Sequence, residues 1–157
     1  MLRALNVEVR LCLDGDLPGQ TAMMKAAKAL DEAGIKVLVV DNQASPKDPD
    51  EILNQDGEDV LRVYLNKLLS RTDFALNYYK TTNPLKSNDE KRALIKSFLP
   101  ILLKINNQLE LDNYLVKLSS ITGYSSQSIK DLVVRTRSNQ SEDTLETNFK
   151  KFHPERE

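Results

Sequence analysis

The fold is decided by residues 7–40, which read VEVRLCLDGDLPGQTAMMKAAKALDEAGIKVLVV. Residues 7–13 alternate between apolar and polar and then turn continuously apolar, which predicts a β-strand that becomes buried. Residues 20–33 are strong helix formers with apolar side chains at three- and four-residue steps, and Gly34 stands where helix ends favour glycine. The β-branched run 35–40 predicts a second strand. This order predicts a right-handed βαβ unit and therefore a parallel sheet.

The remainder of the chain is predicted to be helical, so the fold class is α/β followed by all-α. The spacing of apolar residues predicts helices over 49–55, 59–80, 88–105, 110–121 and 127–135. Ser87 and Glu90 form a capping-box pattern before the third of these, and Pro100 is expected to kink it. No strand pattern is present from Glu58 to Arg137.

Composition and charge divide the chain into segments with different properties. Residues 1–57 hold six basic and ten acidic residues, although the whole chain has a net charge of only -1. We therefore predict an α/β part over 1–57, a weakly basic helical subdomain over 58–137, and a polar linker or disordered tail over 138–157.

The small number of cysteine and histidine residues and the lack of long apolar segments exclude several functional classes. The chain has one cysteine and one histidine, His153, which are too few for a disulfide framework or a thiolate zinc site. Ser-His-Asp or Cys-His catalysis would be possible only if His153 were the general base. No window reaches the roughly 18 to 20 apolar residues of a membrane helix, and the first residues do not form a signal peptide. We expect a cytoplasmic protein without membrane contact.

Two acidic pairs, Asp14 with Asp16 and Asp48 with Asp50, follow the two predicted strands. In extended backbone, residues two apart point to the same side, so each pair presents two carboxylates together. Open α/β sheets place their sites at this edge, where we expect all four carboxylates to gather. An all-oxygen donor set suits Mg²⁺ or Mn²⁺, and the chemistry it serves is phosphoryl transfer. The alternative for each pair is a turn or a helix N-cap, which is the commoner role of either pattern alone.

The residues that follow these pairs extend the pattern to a known family. Residues 9–22, VRLCLDGDLPGQTA, resemble the acidic-strand motif of the Toprim domain in its bacterial, DnaG-type DNA primase form. Residues 47–51, KDPDE, resemble the Asp-Pro-Asp segment of the same family. The order, the gap and the helical region that follows also match, so the resemblance covers roughly residues 5–135.

The resemblance implies a fold, an activity and a set of ligands. Residues 1–57 would be the C-terminal part of a Toprim fold, and 58–137 the helical subdomain that follows it. The whole protein would synthesise RNA primers from ribonucleotides on a single-stranded DNA template by metal-dependent nucleotidyl transfer, together with a replicative helicase. By residue-wise transfer, Asp14, Asp16, Asp48 and Asp50 would bind Mg²⁺ or Mn²⁺, with Asp14 and Asp16 as the catalytic pair.

Three departures from the family limit this interpretation. The family's catalytic Glu on an earlier strand has no counterpart, and Glu8 lies on the same strand as Asp14. The family's zinc-binding and basic template-binding segments and its terminal helicase-binding domain are also absent, so zinc is expected only outside this chain. Leu17 stands where relatives commonly have a small or polar residue. Pro46 stands where relatives commonly have Gly. We expect a fragment that is inactive alone and that can dimerise through an exposed sheet edge.

Three rival interpretations remain. A haloacid-dehalogenase-like phosphatase would need Gly and a hydroxyl residue or Val after Asp16, where Leu17 and Pro18 stand. Another Toprim enzyme, of topoisomerase or nuclease type, shares the first acidic pair but is not expected to share the second with this helical region. The third rival is a non-catalytic helical interaction module with an α/β platform.

Overall fold

The computed structural model describes residues 6–42 and 47–152, and the chain forms two compact units, Met1–Thr82 and Asn83–Glu157. The boundary predicted after residue 57 therefore falls inside the first unit. His153 and Pro46 lie outside the described residues. None of the helices in the described ranges combines the length and apolar character that a bilayer crossing requires.

The first unit is a small mixed sheet with helices. In chain order its elements are β1 (Val9–Leu11), α1 (Leu17–Glu32), β2 (Val37–Val40), α2 (Pro49–Asp56), α3 (Glu58–Leu65), β3 (Leu68–Ser70) and α4 (Arg71–Thr82). β1 pairs in parallel with β2, with Val9 opposite Val37. β3 pairs antiparallel with β2, with Leu68 opposite Val40, so β2 is the central strand. The predicted βαβ unit and its parallel pairing are confirmed.

β3 corrects the prediction that no strand follows Glu58. Its three residues, Leu-Leu-Ser, are too few to display the two-residue alternation by which strands are identified in sequence. Their extended form comes from pairing with the edge of β2, opposite Leu38–Val40. Both edges of β2 are therefore covered, by β1 and by β3, and dimerisation through an outer edge of the sheet stays a prediction.

The helix predicted over 59–80 is interrupted by this strand. α3 ends at Leu65, where the Asn66 side-chain amide donates to the Arg62 carbonyl at 2.9 Å. Such local side-chain bonding to a free helix carbonyl ends the helix and lets the chain turn into β3. α4 then begins at Arg71.

The turn between β1 and α1 brings two stretches of backbone into direct contact. Asp16 is the N-cap of α1, and its Oδ1 accepts a 2.8 Å hydrogen bond from the Gly19 N–H. A Cβ on Gly19 would lie 2.8 Å from the Asp14 carbonyl carbon, 2.9 Å from Asp16 Oδ1, and closer still to the Asp14 carbonyl oxygen. Only glycine therefore fits at this position.

Two apolar clusters hold the helices to the sheet. One joins α1, β2 and α4 and consists of Met23, Val39 and Phe74, and the other joins β2, α2 and α3 and consists of Val40, Ile52 and Tyr64. Each of these side chains is at most 6% exposed. The second cluster includes Ile52 of α2, the helix whose start carries the second acidic pair.

Tyr64 is the one phenol of the second cluster. Burial raises its pKa to about 12, with further upward contributions from Cys12 and from the negative charges of Asp41 and Asp48. The tyrosinate is therefore less stable in the folded chain than in the unfolded one.

The second unit is built from three helices. These are α5 (Asn88–Leu103), α6 (Gln108–Thr122) and α7 (Ser126–Phe152). The Ser87–Glu90 capping box is confirmed, since the Ser87 Oγ accepts from the Glu90 N–H and the Glu90 carboxylate accepts from the Ser87 N–H. Gly123 ends α6 in the left-handed conformation at φ 80°. The most deeply buried side chains here are Leu94, Phe98, Leu102, Leu115, Leu118 and Val133.

α7 extends through residues that were predicted as a linker or disordered tail. It continues to Phe152, and the side chains of 138–148 are exposed. No glycine or proline occurs between Gly123 and Pro154, so nothing in the backbone chemistry stops the helix. The prediction of a linker or disordered tail from polar composition missed the helical form of this segment. Residues 153–157 lie outside the described residues.

Arg137 joins α7 to the end of α5. Its guanidinium donates to the carbonyl oxygens of Leu102, Leu103 and Ile105, at 3.3, 3.3 and 2.8 Å. Leu102 and Leu103 are the last two residues of α5 and Ile105 follows the helix by two residues, so the guanidinium binds carbonyl groups at and just after the helix end. A cation at a helix C-terminus also interacts favourably with the helix dipole.

Replacing Gly19 with Ala is expected to destabilise the chain by about 1–3 kcal/mol, because the added methyl group overlaps fixed backbone rather than a flexible side chain. Urea denaturation followed by circular dichroism measures this change. Gly123→Ala is the control, since a Cβ there meets nothing within 4 Å and introduces only the strain of a positive φ. A smaller loss for Gly19→Ala than for Gly123→Ala would contradict the proposed overlap.

Replacing Arg137 with Met is expected to lower the free energy of unfolding by about 1–3 kcal/mol, because three carbonyl groups lose a charged donor. The exposed Arg135 lies two residues earlier on the same helix, and Arg135→Met is the matched control. Thermal denaturation should separate the two variants. Equal melting temperatures would show that the guanidinium contributes nothing to the end of α5.

Because the pKa of Tyr64 is raised in the folded state, its contribution to stability is complete below pH 10 and is lost as pH rises toward about 12. The melting temperature of the unsubstituted chain should therefore fall more steeply over this pH range than that of Tyr64→Phe. Melting curves between pH 9 and pH 12 make this comparison. Tyr124→Phe in the second unit controls for the loss of one phenol, and parallel curves for the wild type and Tyr64→Phe would refute the burial effect.

Candidate functional site

The carboxyl end of the parallel strand pair carries the polar residues of the first unit. β1 ends at Leu11 and leads into Asp14 and Asp16, both exposed. β2 ends at Val40 and is followed by Asn42, which is only 3% exposed. This is the sheet edge at which the sequence predicts a site.

The first acidic pair is held by the start of α1. Asp16 uses Oδ1 to cap the helix, and its backbone is extended at φ -72° and ψ 169°. A carboxylate has two oxygens and about four acceptor positions, so one capping bond leaves capacity for a cation. Asp14, two residues earlier, is exposed.

The second acidic pair begins α2. Asp48 Oδ1 accepts from the Glu51 N–H at 2.8 Å, and Glu51 Oε2 accepts from the Asp48 N–H at 3.3 Å, which completes a capping box. Asp50 lies in the exposed first turn of the helix. Asp48 therefore has the helix-capping role that was the predicted alternative to metal binding.

The structure does not gather all four carboxylates. Within the described residues, no group of three or more His, Cys, Asp or Glu side chains is close enough to hold a metal ion. The expectation of a four-carboxylate cluster is therefore corrected: no three of the four carboxylates come together, and Asp16 and Asp48 each cap the start of their own helix.

Two buried amides beside the first pair were not predicted from the sequence. Gln20 and Asn42 are 7% and 3% exposed. Gln20 Nε2 donates to the Gly15 carbonyl at 3.1 Å, and Asn42 Nδ2 donates to the Leu13 carbonyl. The Oε1 of Gln20 and the Oδ1 of Asn42 have no hydrogen-bond partner among the described residues. A signal was present, because Gln20 shares the buried face of α1 with Met23 and Ala27.

The second unit has a candidate surface of its own, an apolar groove with basic residues between α5 and α7. Its volume is about 570 Å³. Its lining consists of Arg92, Ile95, Lys96, Leu99, Tyr124, Ser128, Ile129 and Leu132. Arg92 pairs with Asp89, and both side chains are well exposed, so the groove keeps a hydrated basic rim.

Comparison with known families identifies both parts of the chain. The family model described as Toprim-like matches residues 1–53, and the model described as the DnaB-helicase binding domain of primase matches residues 72–127. The second match begins within α4 and ends at the start of α7, so the expectation that a helicase-binding domain is absent from this chain is wrong. It therefore includes most residues of the groove.

Curated relatives match along most of the chain. A DNA primase of Clostridium acetobutylicum is 26% identical over 133 residues, which is 85% of this chain and 22% of the relative. A DNA primase of Listeria innocua is 28% identical over 120 residues, which is 76% of this chain and 19% of the relative. The chain thus spans about a fifth of the length of these relatives.

Solved structures show the same fold. The catalytic core of DnaG superposes with a TM-score of 0.56 at 18% identity, over 77% of this chain and 40% of that one. A DNA primase domain from Pseudomonas aeruginosa gives a TM-score of 0.56 at 22% identity, over 80% and 40% of the two chains. The chain therefore carries a Toprim-like segment followed by a segment that matches the helicase-binding domain of primase, and along most of its length it is similar to bacterial DNA primases.

Proposed function

We propose that this chain is part of a replicative primase that synthesises RNA primers on single-stranded DNA by metal-dependent nucleotidyl transfer. The observation that carries this proposal is the exposed Asp14–Asp16 pair at the carboxyl end of β1, inside the segment that matches the Toprim-like family. The template, the ribonucleotides and the nucleotidyl transfer belong to the whole protein. This chain contributes the acidic residues that would bind the cation.

The donor set fits a divalent cation of the Mg²⁺ or Mn²⁺ type. Asp14 and Asp16 offer carboxylate oxygens at an exposed edge, and Mg²⁺ commonly uses one or two carboxylates together with phosphate oxygens and water. The Asp14–Asp16 pair therefore suffices for a cation, without a cluster of four carboxylates. When bound, the cation would neutralise charge that develops on the phosphate oxygens during transfer.

The four aspartates would divide this work by position. Asp14 and Asp16 would hold the cation and orient the phosphate, whereas Asp48 and Asp50 would add ligands or a negative field from the start of α2. Asp48 is already committed through one oxygen to the Glu51 N–H. We therefore assign the larger share of cation affinity to the first pair.

The helical unit is proposed to contact the replicative helicase. The family match over 72–127 supports this assignment, and within it the groove offers an apolar floor with Arg92 and Lys96 at its rim. A groove of this composition suits a protein segment with apolar and acidic side chains. The rival to the whole proposal is a non-catalytic interaction module that makes this contact alone.

The decisive measurement is a calorimetric titration of the chain with Mn²⁺. Asp14→Ala/Asp16→Ala should weaken binding by at least about tenfold, because both exposed ligands of the first pair are lost. Asp59→Ala/Asp143→Ala is the matched control, since it removes two exposed carboxylates far from this motif in sequence and should leave the affinity unchanged. Equally negligible heats for the wild type and the Asp14/Asp16 variant would overturn the metal assignment.

The same wild-type and variant proteins distinguish the primase proposal from the non-catalytic interaction module. A chain that binds the helicase but takes up no Mn²⁺ would support the interaction module. We expect no RNA product from this chain on a single-stranded template, because it has no counterpart of the family's catalytic Glu. Robust RNA synthesis would show that this argument from the missing Glu is wrong.

A further inference from the structure

The loop that carries the first acidic pair is held by side chains from two different elements. Asn42, which follows β2, donates to the Leu13 carbonyl. Gln20, in the first turns of α1, donates to the Gly15 carbonyl at 3.1 Å. The two acceptors are the carbonyl groups just before and one residue after Asp14.

Planarity of the peptide group turns these two bonds into a constraint on both aspartates. The Leu13 carbonyl shares its rigid plane with the Asp14 nitrogen, and the Gly15 carbonyl shares its plane with the Asp16 nitrogen. Each amide therefore fixes the peptide plane that leads into one carboxylate-bearing residue. The carbonyl between them, that of Asp14, lies against Gly19.

Close packing supports the same arrangement. A Cβ at Gly15 would stand 3.2 Å from the Asn42 carbonyl oxygen and 3.6 Å from Asn42 Cγ, so Asn42 lies directly on this loop. Both amides are more than nine-tenths buried. They are thus internal supports of the loop rather than surface residues.

The remaining oxygens of these amides point to a role beyond stability. Gln20 Oε1 and Asn42 Oδ1 are buried without a hydrogen-bond partner among the described residues. A buried unsatisfied acceptor costs about 1–3 kcal/mol, whereas apolar residues of the same shape avoid this cost. Residues that lower stability while fixing a geometry are typical of functional sites.

We propose that Asn42 and Gln20 are positioning residues that fix the Asp14–Asp16 loop for cation binding. This inference rests on the proposed metal-dependent function. It assigns a role to two residues that never touch the cation. Outer-shell partners of this kind commonly change metal affinity by about 10- to 100-fold.

The test uses apolar isosteres, which separate positioning from stability. Asn42→Leu and Gln20→Met remove the donor and also the unsatisfied oxygen. We expect melting temperatures equal to or above that of the wild type, together with Mn²⁺ binding weakened by about tenfold in calorimetry. A purely structural role would instead lower both quantities together.

Asn66→Leu is the matched control. The Asn66 amide donates to the Arg62 carbonyl at 2.9 Å and accepts from Arg10 at 3.1 Å, so the same chemical change is made in the same unit without touching the loop. Mn²⁺ affinity should be unchanged in this variant. Wild-type affinity in both Asn42→Leu and Gln20→Met would overturn the inference, and if one of the two fails to fold, the other decides.

A second measurement distinguishes this inference from the proposed function. Nitrogen-15 relaxation of the Asp14 and Asp16 amides in the metal-free chain should show greater mobility in Asn42→Leu and Gln20→Met than in the wild type or Asn66→Leu. Unchanged mobility overturns the positioning role whatever the metal result. A wild-type chain that takes up no Mn²⁺ overturns the metal site itself, while the relaxation data still decide whether the amides hold the loop.

Discussion

The arrangement of the first unit depends on a steric constraint where β1 passes into α1. The helix begins so close to the preceding backbone that Gly19 lies against the Asp14 carbonyl, with no room for a Cβ. This contact places the N-terminus of α1 beside the exit of β1. Asp16 can therefore cap the helix, and Gln20 on the next turn can reach back to Gly15. Gly19, the Asp16 cap and the Gln20 amide all depend on this close approach of α1 to the end of β1.

Capping and cation binding draw on the same property of a short carboxylate. An aspartate that begins a helix directs a carboxylate oxygen toward N–H groups with partial positive charge. A metal ion attracts the same oxygens more strongly. Asp16 and Asp48 are both caps, so the structural role that competes with metal binding in sequence is present at both positions. Because each cap bond uses only part of a carboxylate's capacity, it orients the side chain without consuming it.

Much of the architecture could be predicted from local chemistry. The βαβ unit, the Ser87–Glu90 capping box and the end of α6 at Gly123 all follow from patterns a few residues long. The features that escaped prediction depend on distant partners. β3 is extended because it lies beside β2, and Asn42 is buried because Leu13, 29 residues earlier, offers its carbonyl.

The candidate site shows the same division between local and distant information. The four aspartates were identified from two short motifs, but their grouping into one cluster was an inference about loops of unknown path, and it was wrong. The helical form of 138–152 escaped prediction for a different reason, since polar composition indicates exposure and says little about backbone conformation. Gln20 could have been noticed from sequence alone, as a polar residue on an otherwise apolar helix face.

The order of strands in the sheet has a consequence for how the chain folds during synthesis. The spatial order β1-β2-β3 is also the order along the chain, and each strand pairs with the one made just before it. Loop closure between neighbouring strands is entropically cheaper than closure over long separations, and its cost rises only with the logarithm of loop length. Once residue 70 has left the ribosome, every described strand of the sheet is present, so the sheet can form before the second unit has been translated.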